Sequence, residues 1–205
     1  MLKAGPSPAV SLCQMQQPRY DSDSNSTKVA AKMYLVISTS LNPNSRSRLL
    51  ARCAMASLEQ QSSSAQFIDL AETKLPACDG GQCYGDPNAV VVRESVEAAS
   101  GILLAGPIYN YDLGASAKNM IELTGKAWTG KVVGFLCAAG GQGSFMAPMG
   151  IANSLMLDFR SFIVPRFVYA TGEAFSGDQI ADEECEERVK ELASELIRIS
   201  TALTK

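Results

Sequence analysis

Five short apolar runs, each followed by a stretch with helical spacing, constrain this chain more than any other feature. Met33–Ile37, Phe67–Leu70, Ile102–Ala105, Val132–Ala139 and Phe162–Tyr169 lack the apolar/polar alternation of a strand with one wet face. They read as strands buried on both faces. Pro165 interrupts the last run and marks it as an edge strand. Helical patterns lie between them. Ser45–Glu59 carries apolar residues at 49, 50, 54, 55 and 58. A second helix begins at Pro87, a residue suited to a first turn, and runs to Ala99. A third spans Ala115 to about Lys126 and ends near Gly125. A fourth covers Ser144–Arg160, with Pro148 in its early turns. The last is the clearest: Cys185, Val189, Leu192, Leu196, Ile199 and Leu203 form one stripe, with acids opposite. Strands alternating with helices predict a three-layer, doubly wound α/β fold with a five-stranded parallel sheet. Ligands bind such sheets beyond the carboxyl ends of the strands. The loops after the first, third and fourth strands are therefore the places to look.

The alternation starts late. Residues 1–32 have no period, are rich in Ser, Gln, Pro, Asn and Asp, and include the low-complexity run DSDSNST at 21–27. They read as a disordered leader, leaving 33–205 as the working domain. Asp21 and Asp23 are unlike an acid-poor targeting peptide. No apolar run approaches the ~20 residues of a membrane span.

Composition narrows the chemistry. Among 205 residues there is no histidine, which excludes Ser-His-Asp and Cys-His triads and histidine-ligated zinc. Reactive groups must be carboxylates, thiols, lysines or a borrowed cofactor. The net charge of −3 disfavours a nucleic-acid or anionic-membrane surface. Residues 33–170 are neutral, which suits a small anionic ligand, and 171–205 carry −5. Of the six cysteines, Cys78 and Cys83 are too far apart for a CxxC motif. Cys53, Cys137 and Cys185 fall in apolar patterns and read as small core residues. Neither a disulfide framework nor a metal site is expected, and a reducing cytoplasm fits best.

Three loops carry the candidate site. The first is Ser38–Ser47, STSLNPNSRS. Its hydroxyls and the free N–H groups of the next helix make a phosphate cradle, with Ser45 as N-cap and Arg46 to grip oxygens. It is neither a Walker loop nor GxGxxG, since 38–47 contain no glycine. A Ser-capped turn is the plainer reading. The second loop, Gly106–Gly114, offers Tyr109 and Tyr111 for stacking on a planar ligand, or simply an aromatic turn packed on the core. The third, Ala139–Ser144, has glycines at 140, 141 and 143, which permit close backbone approach to a flat ring or merely loosen a connector. A helix N-terminus adds about 0.3–1 kcal/mol toward an anion, whereas micromolar affinity needs about 8 kcal/mol. A ring must supply the rest. One phosphate plus one flat ring describes a flavin mononucleotide.

At these residues the chain resembles the NAD(P)H-dependent FMN reductases of flavodoxin-like fold. GPIYNYDLGASAKNMIELTGKAWTGKVVGF (106–135) resembles their P-x-Y-N … G-x-x-K-N … W-x-G-K signature. It matches at Pro107, Tyr109, Asn110, Gly114, Lys118, Asn119, Trp128, Gly130 and Lys131. The first loop resembles the family's G-S-x-R-x-x-S-x-S phosphate loop at Ser40, Ser45 and Ser47, and AAGGQGS (138–144) its second ring-binding loop. The chain departs from the pattern at Thr39, Leu41 and Asn42, with Arg46 or Arg48 to compensate the arginine missing at 42.

The resemblance, which covers 33–170, implies a function. The FMN phosphate would sit on Ser40, Ser45, Arg46 and Ser47, and the ring along Pro107, Ile108, Tyr109 and Asn110, with Gly140, Gly141 and Gly143 on the other side. NADPH or NADH would deliver a hydride to FMN, and an acceptor such as free flavin or a quinone would take the electrons. No side chain is assigned as catalytic. Lys118 and Asn119 are expected to cap and tether the Tyr109–Tyr111 loop and Trp128 to pack. The family commonly forms dimers, so a homodimer or homotetramer is implied, with Tyr111, Phe145, Met146 and Met149 as candidate contacts. A flavodoxin-like electron carrier and a flavin-binding regulatory module are the alternatives; the neutral middle of the chain favours the reductase.

Overall fold

The computed structural model describes residues 32–61 and 64–203. The expected leader, apart from Lys32, lies outside the described residues. The elements in chain order are β1 (Tyr34–Ser38), α1 (Arg46–Gln61), β2 (Ala65–Asp69), α2 (Pro87–Ala98), β3 (Gly101–Tyr109), β4 (Asp112–Leu113), α3 (Ala115–Thr124), β5 (Val132–Ala138), α4 (Met149–Phe159), β6 (Phe162–Ile163), β7 (Val168–Ala170), β8 (Phe175–Ser176), β9 (Gln179–Ile180) and α5 (Glu183–Leu203). The main sheet runs β2-β1-β3-β5, with β6 and β7 both beside β5, and all of these pairs are parallel. This is the doubly wound α/β fold expected from the alternation, and it is flavodoxin-like.

The unbroken apolar runs become strands covered on both sides. Tyr34 and Val36 of β1 meet Leu50, Ala54 and Leu58 of α1 and Leu192 and Leu196 of α5. Leu35 and Ile37 face the other way, toward α2, α3 and α4. Of the α5 stripe, Cys185, Val189, Leu192 and Leu196 are buried, while Leu203 at the end is exposed. Strand order reverses between β1 and β3, which opens a crevice at their carboxyl ends.

Four local differences from the sequence reading have physical causes. The fifth strand is two short pieces: β6 pairs with Val132–Val133 and β7 with Leu136–Ala138. Pro165, without an N–H to donate, falls in the gap. α4 begins at Met149 with Pro148 as its N-cap. Pro148 has no N–H for a helical bond back to Ser144, whose carbonyl accepts from Ala147 instead. A 3-10 turn over Gln142–Ser144 and further turns precede the helix. α3 stops at Thr124, and a 3-10 turn follows over Gly125–Trp128. β3 runs on to Tyr109 through Pro107, because its ladder with β1 ends at Ala105 and frees that edge. Two hairpins, β3–β4 and β8–β9, were not anticipated.

Of the family-signature residues outside the loops, Trp128 packs as expected, while Asn119 ties down the 76–78 segment in place of the Tyr109–Tyr111 loop and Lys118 pairs within its own helix. Asn119 accepts from the Cys78 N–H at 2.8 Å and donates to the Pro76 carbonyl at 2.9 Å, tying the 76–78 segment to α3. Lys118 pairs with Glu122 on the surface. Lys131 Nζ donates to the carbonyls of Glu97 and Ala99 at the end of α2. Trp128 is fully buried and donates to Thr124 Oγ1 at 2.7 Å.

Gly106 is where close packing leaves room only for hydrogen. A Cβ there would lie 2.5 Å from Leu113 Cδ2 and 2.8 Å from Thr39 Oγ1. Gly106→Ala should therefore destabilise the fold by about 1–3 kcal/mol. A lower urea midpoint with unchanged slope is the expected reading.

Candidate functional site

Ser45 caps α1. Its hydroxyl accepts the Arg48 N–H at 3.2 Å and meets Ser47 Oγ at 3.0 Å. The first-turn N–H groups of Arg46 and Ser47 have no acceptor within the helix, so they and the helix dipole favour an anion. The preceding loop is held by short-range bonds. Asn44 N–H donates to Asn42 Oδ1 at 2.9 Å, and Thr39 binds the Ala105 carbonyl through both N–H and hydroxyl.

Arg48 fixes this loop from behind and leaves nothing for a ligand. Its guanidinium is buried against Asp69, which it meets through Nε and Nη2. Nη1 donates to the carbonyls of Asn42 and Pro43 at 2.9 and 3.0 Å, and Nη2 to that of Ser40 at 3.1 Å. All of the guanidinium N–H groups are thereby used. Asp69 Oδ1 also accepts the Ala71 N–H at 3.0 Å. Of the two arginines considered as replacements for a basic residue at 42, only Arg46 stays available. Among the described residues Arg46 has no carboxylate partner.

The second loop is a tight hairpin. Tyr109 pairs with Asp112 and Ile108 with Leu113. The two turn residues, Asn110 and Tyr111, both have positive φ, at 49° and 67°, as a two-residue primed turn requires. Asparagine tolerates this conformation; it is unusual for tyrosine. Tyr109 lies beside Gly114, whose Cβ would be 3.5 Å from the ring. Both tyrosines are exposed.

The third loop leaves β5 with Ala139 N–H bonded to the Ala170 carbonyl at 2.9 Å. Tyr169 OH donates to the Gly141 carbonyl at 2.6 Å, and Phe145 packs on Phe167 and Tyr169. A Cβ on Gly140, Gly141 or Gly143 would meet nothing within 4 Å, and none of the three has the left-handed φ that needs glycine. Nothing in the chain itself calls for glycine at these points.

The loops converge on a cleft of about 350 Å³, within the usual range of small-ligand sites. Ser40, Ser45, Arg46 and Ser47 line one side, and Pro107, Ile108, Tyr109 and Gly140 the other. Asn110, Gly141 and Gly143 stand just outside it. Asn42, Asn44, Ala138 and Ala139 also line it and were not anticipated; the Asn-Pro-Asn turn was the signal available for the first two. Four larger cavities lack this convergence, among them two of about 730 and 970 Å³. In the first, Arg46, Arg48 and Arg52 are balanced by Asp69, Glu72 and Asp178. The second lies between α3 and α4 and meets none of the three loops.

Four of the thiols are not poised for chemistry. Burial pushes Cys137 up to about 12 and Cys185 up to about 11, and Cys53 also rises through burial. Cys83 rises because its thiol bonds the Asp79 carboxylate. Among the described residues, no three acidic or thiol side chains gather as a metal site, and no helix is long and apolar enough to cross a membrane.

Residues 33–176 match the sequence model of a protein family described as NADPH-dependent FMN reductase. No curated protein matches the sequence. Solved structures share the fold at low identity. An NADH:FMN oxidoreductase in its apo form superposes with a TM-score of 0.68 at 18% identity, over 82% of this chain and 89% of its own. A flavoenzyme NAD(P)H:acceptor oxidoreductase from Paracoccus denitrificans gives 0.68 at 18%, over 83% and 98%. An FMN-dependent NADH-azoreductase from Bacillus anthracis, in complex with FMN, gives 0.61 at 14%, over 82% and 100%.

Removing Arg48 would leave Asp69 as a buried, unpaired charge and free three loop carbonyls. Arg48→Ala should cost about 3–5 kcal/mol of stability, read as a lowered denaturant midpoint. Arg52→Ala, at an exposed position on the same helix, is the control and should change stability by less than about 0.5 kcal/mol.

Proposed function

The chain belongs to the NADPH-dependent FMN reductase family and is an oxidoreductase; on that footing we propose that it passes electrons from NADPH or NADH through bound FMN to a small acceptor such as free flavin or a quinone. The observation that carries this reading is the meeting of an anion cradle and two ring-sized loops in one cleft. The residues fit the group. Ser40, Ser45 and Ser47 offer hydroxyls, Arg46 a guanidinium without a carboxylate partner, and α1 its free N–H groups, all suited to a terminal phosphate. Pro107, Ile108, Tyr109 and Asn110 would flank a planar ring on one side. Gly140, Gly141 and Gly143 would leave its other edge close to backbone, which accounts for glycines the fold does not need.

FMN, when bound, supplies the hydride-accepting and hydride-donating chemistry. The protein's own share is to hold the phosphate, orient the ring and leave one face open. This agrees with a chain that has no histidine and whose buried thiols are pushed away from their reactive form. Tyr111, Phe145, Met146 and Met149 are exposed, and a second copy would cover them in a homodimer or homotetramer. The free cysteines among the described residues suit a reducing cytoplasm.

Two measurements test the reading. Purified protein supplied with FMN should show a perturbed flavin spectrum and quenched flavin fluorescence, and NADPH or NADH added without oxygen should bleach the visible bands. Absence of FMN binding overturns the cofactor assignment. Bound FMN that stays oxidised with both nucleotides turns the reading to an electron carrier. We further propose that the leader plays no part in either step. A chain starting at Met33 should keep the melting temperature and the FMN affinity of the full-length protein.

A further inference from the structure

Arg46 and Arg48 sit two positions apart on α1 yet differ in how they are held. Arg48 is buried in protein acceptors, whereas Arg46 reaches across to the segment after β7. Its Cζ lies 5.8 Å from the centroid of the Phe175 ring, within cation–π range. On another side stands Gly172. A Cβ built there would be 2.8 Å from Arg46 Nη1 and 3.7 Å from Cζ. Gly172 opens a 3-10 turn, and its φ is not in the left-handed region. Its backbone therefore accepts any L-residue, and what a side chain would meet there is the Arg46 guanidinium. Phe175 is half-buried against the α1/α5 core, so the ring is a firm support.

We propose that Gly172 and Phe175 are positioning residues that set Arg46 for the ligand phosphate and so make the site prefer FMN over unphosphorylated riboflavin. This rests on the FMN assignment above. Arginine is rotamer-rich, and holding its guanidinium in place before the ligand arrives removes an ordering cost from binding. A methyl group at 172 would displace the far end of a flexible side chain rather than any backbone. Gly172→Ala is thus a probe that moves Arg46 while sparing the fold.

The test compares FMN and riboflavin affinities, by fluorescence quenching, in the full-length protein and in Arg46→Ala, Gly172→Ala, Phe175→Leu and the Arg46→Ala/Gly172→Ala double variant. Arg46→Ala should weaken FMN binding by about tenfold or more and leave riboflavin unchanged. Gly172→Ala should keep the melting temperature, reproduce most of that FMN-specific loss, and add nothing in the Arg46→Ala background. Phe175→Leu should weaken FMN by about two- to fivefold. If Gly172→Ala binds FMN as the parent does while Arg46→Ala does not, the positioning role is overturned and the FMN assignment stands. Equal losses for FMN and riboflavin in Gly172→Ala also overturn it. Unaltered FMN affinity in Arg46→Ala overturns the positioning role and removes Arg46 from the site while the FMN assignment stands; no FMN binding by the parent overturns both.

Discussion

The buried pair of Arg48 and Asp69 joins two parts that the sheet leaves loose at its carboxyl end. Asp69 closes β2, and Arg48 sits in the first turn of α1. Arg48 also holds the carbonyls of the loop that shapes the candidate anion cradle. Burying two opposite charges is costly unless every donor and acceptor is met. Here the guanidinium spends its N–H groups on one carboxylate and three loop carbonyls. The loop is fixed by turning its oxygens inward, toward a cation that belongs to the fold. A second cation nearby, Arg46, has no carboxylate partner among the described residues. The site thus has two arginines with separate duties, one consumed by structure and one kept free.

Much of this was legible in the sequence because the relevant signals are local and periodic. Apolar runs without alternation mark buried strands, 3.6-residue spacing marks helices, and alternation of the two fixes where the crevice opens. Ser45 as N-cap followed from its position before an apolar-periodic segment. The division of labour between Arg46 and Arg48 was not legible, because it depends on Asp69, twenty-one positions on from Arg48, and on Gly172, far along the chain. The primed turn at Asn110–Tyr111 was hidden as well. Tyrosine at its second position carries none of the usual turn signal, and only tertiary support sustains that conformation. The start of α4 was misjudged where a run of apolar residues outweighed a single proline that governs the local backbone.

The absence of histidine has a counterpart in the way the structure treats its remaining reactive side chains. Some thiols are submerged, as with Cys137 in β5, and Cys83 is tied to the Asp79 carboxylate. Of the two lysines of the family signature, Lys131 spends its ammonium on two carbonyls at the end of α2, and Lys118 pairs with Glu122. What faces the cleft is hydroxyl, amide, aromatic ring, bare backbone and one guanidinium. These groups recognise and hold; none of them is an obvious proton carrier near neutral pH. Such a lining suits a site whose reactivity arrives with its ligand.

The broken fifth strand bears on how copies of this chain can meet. A sheet edge is dangerous when it offers a long row of unpaired backbone groups, since any stray strand can extend the ladder. Here the margin beside β5 is made of a two-residue and a three-residue piece separated by Pro165. Neither is long enough to template a partner, and the proline supplies no N–H between them. Joining sheets edge to edge would find no continuous rail on this side. Any contact made on this side would rest on side chains of helices and loops, where recognition is selective rather than generic.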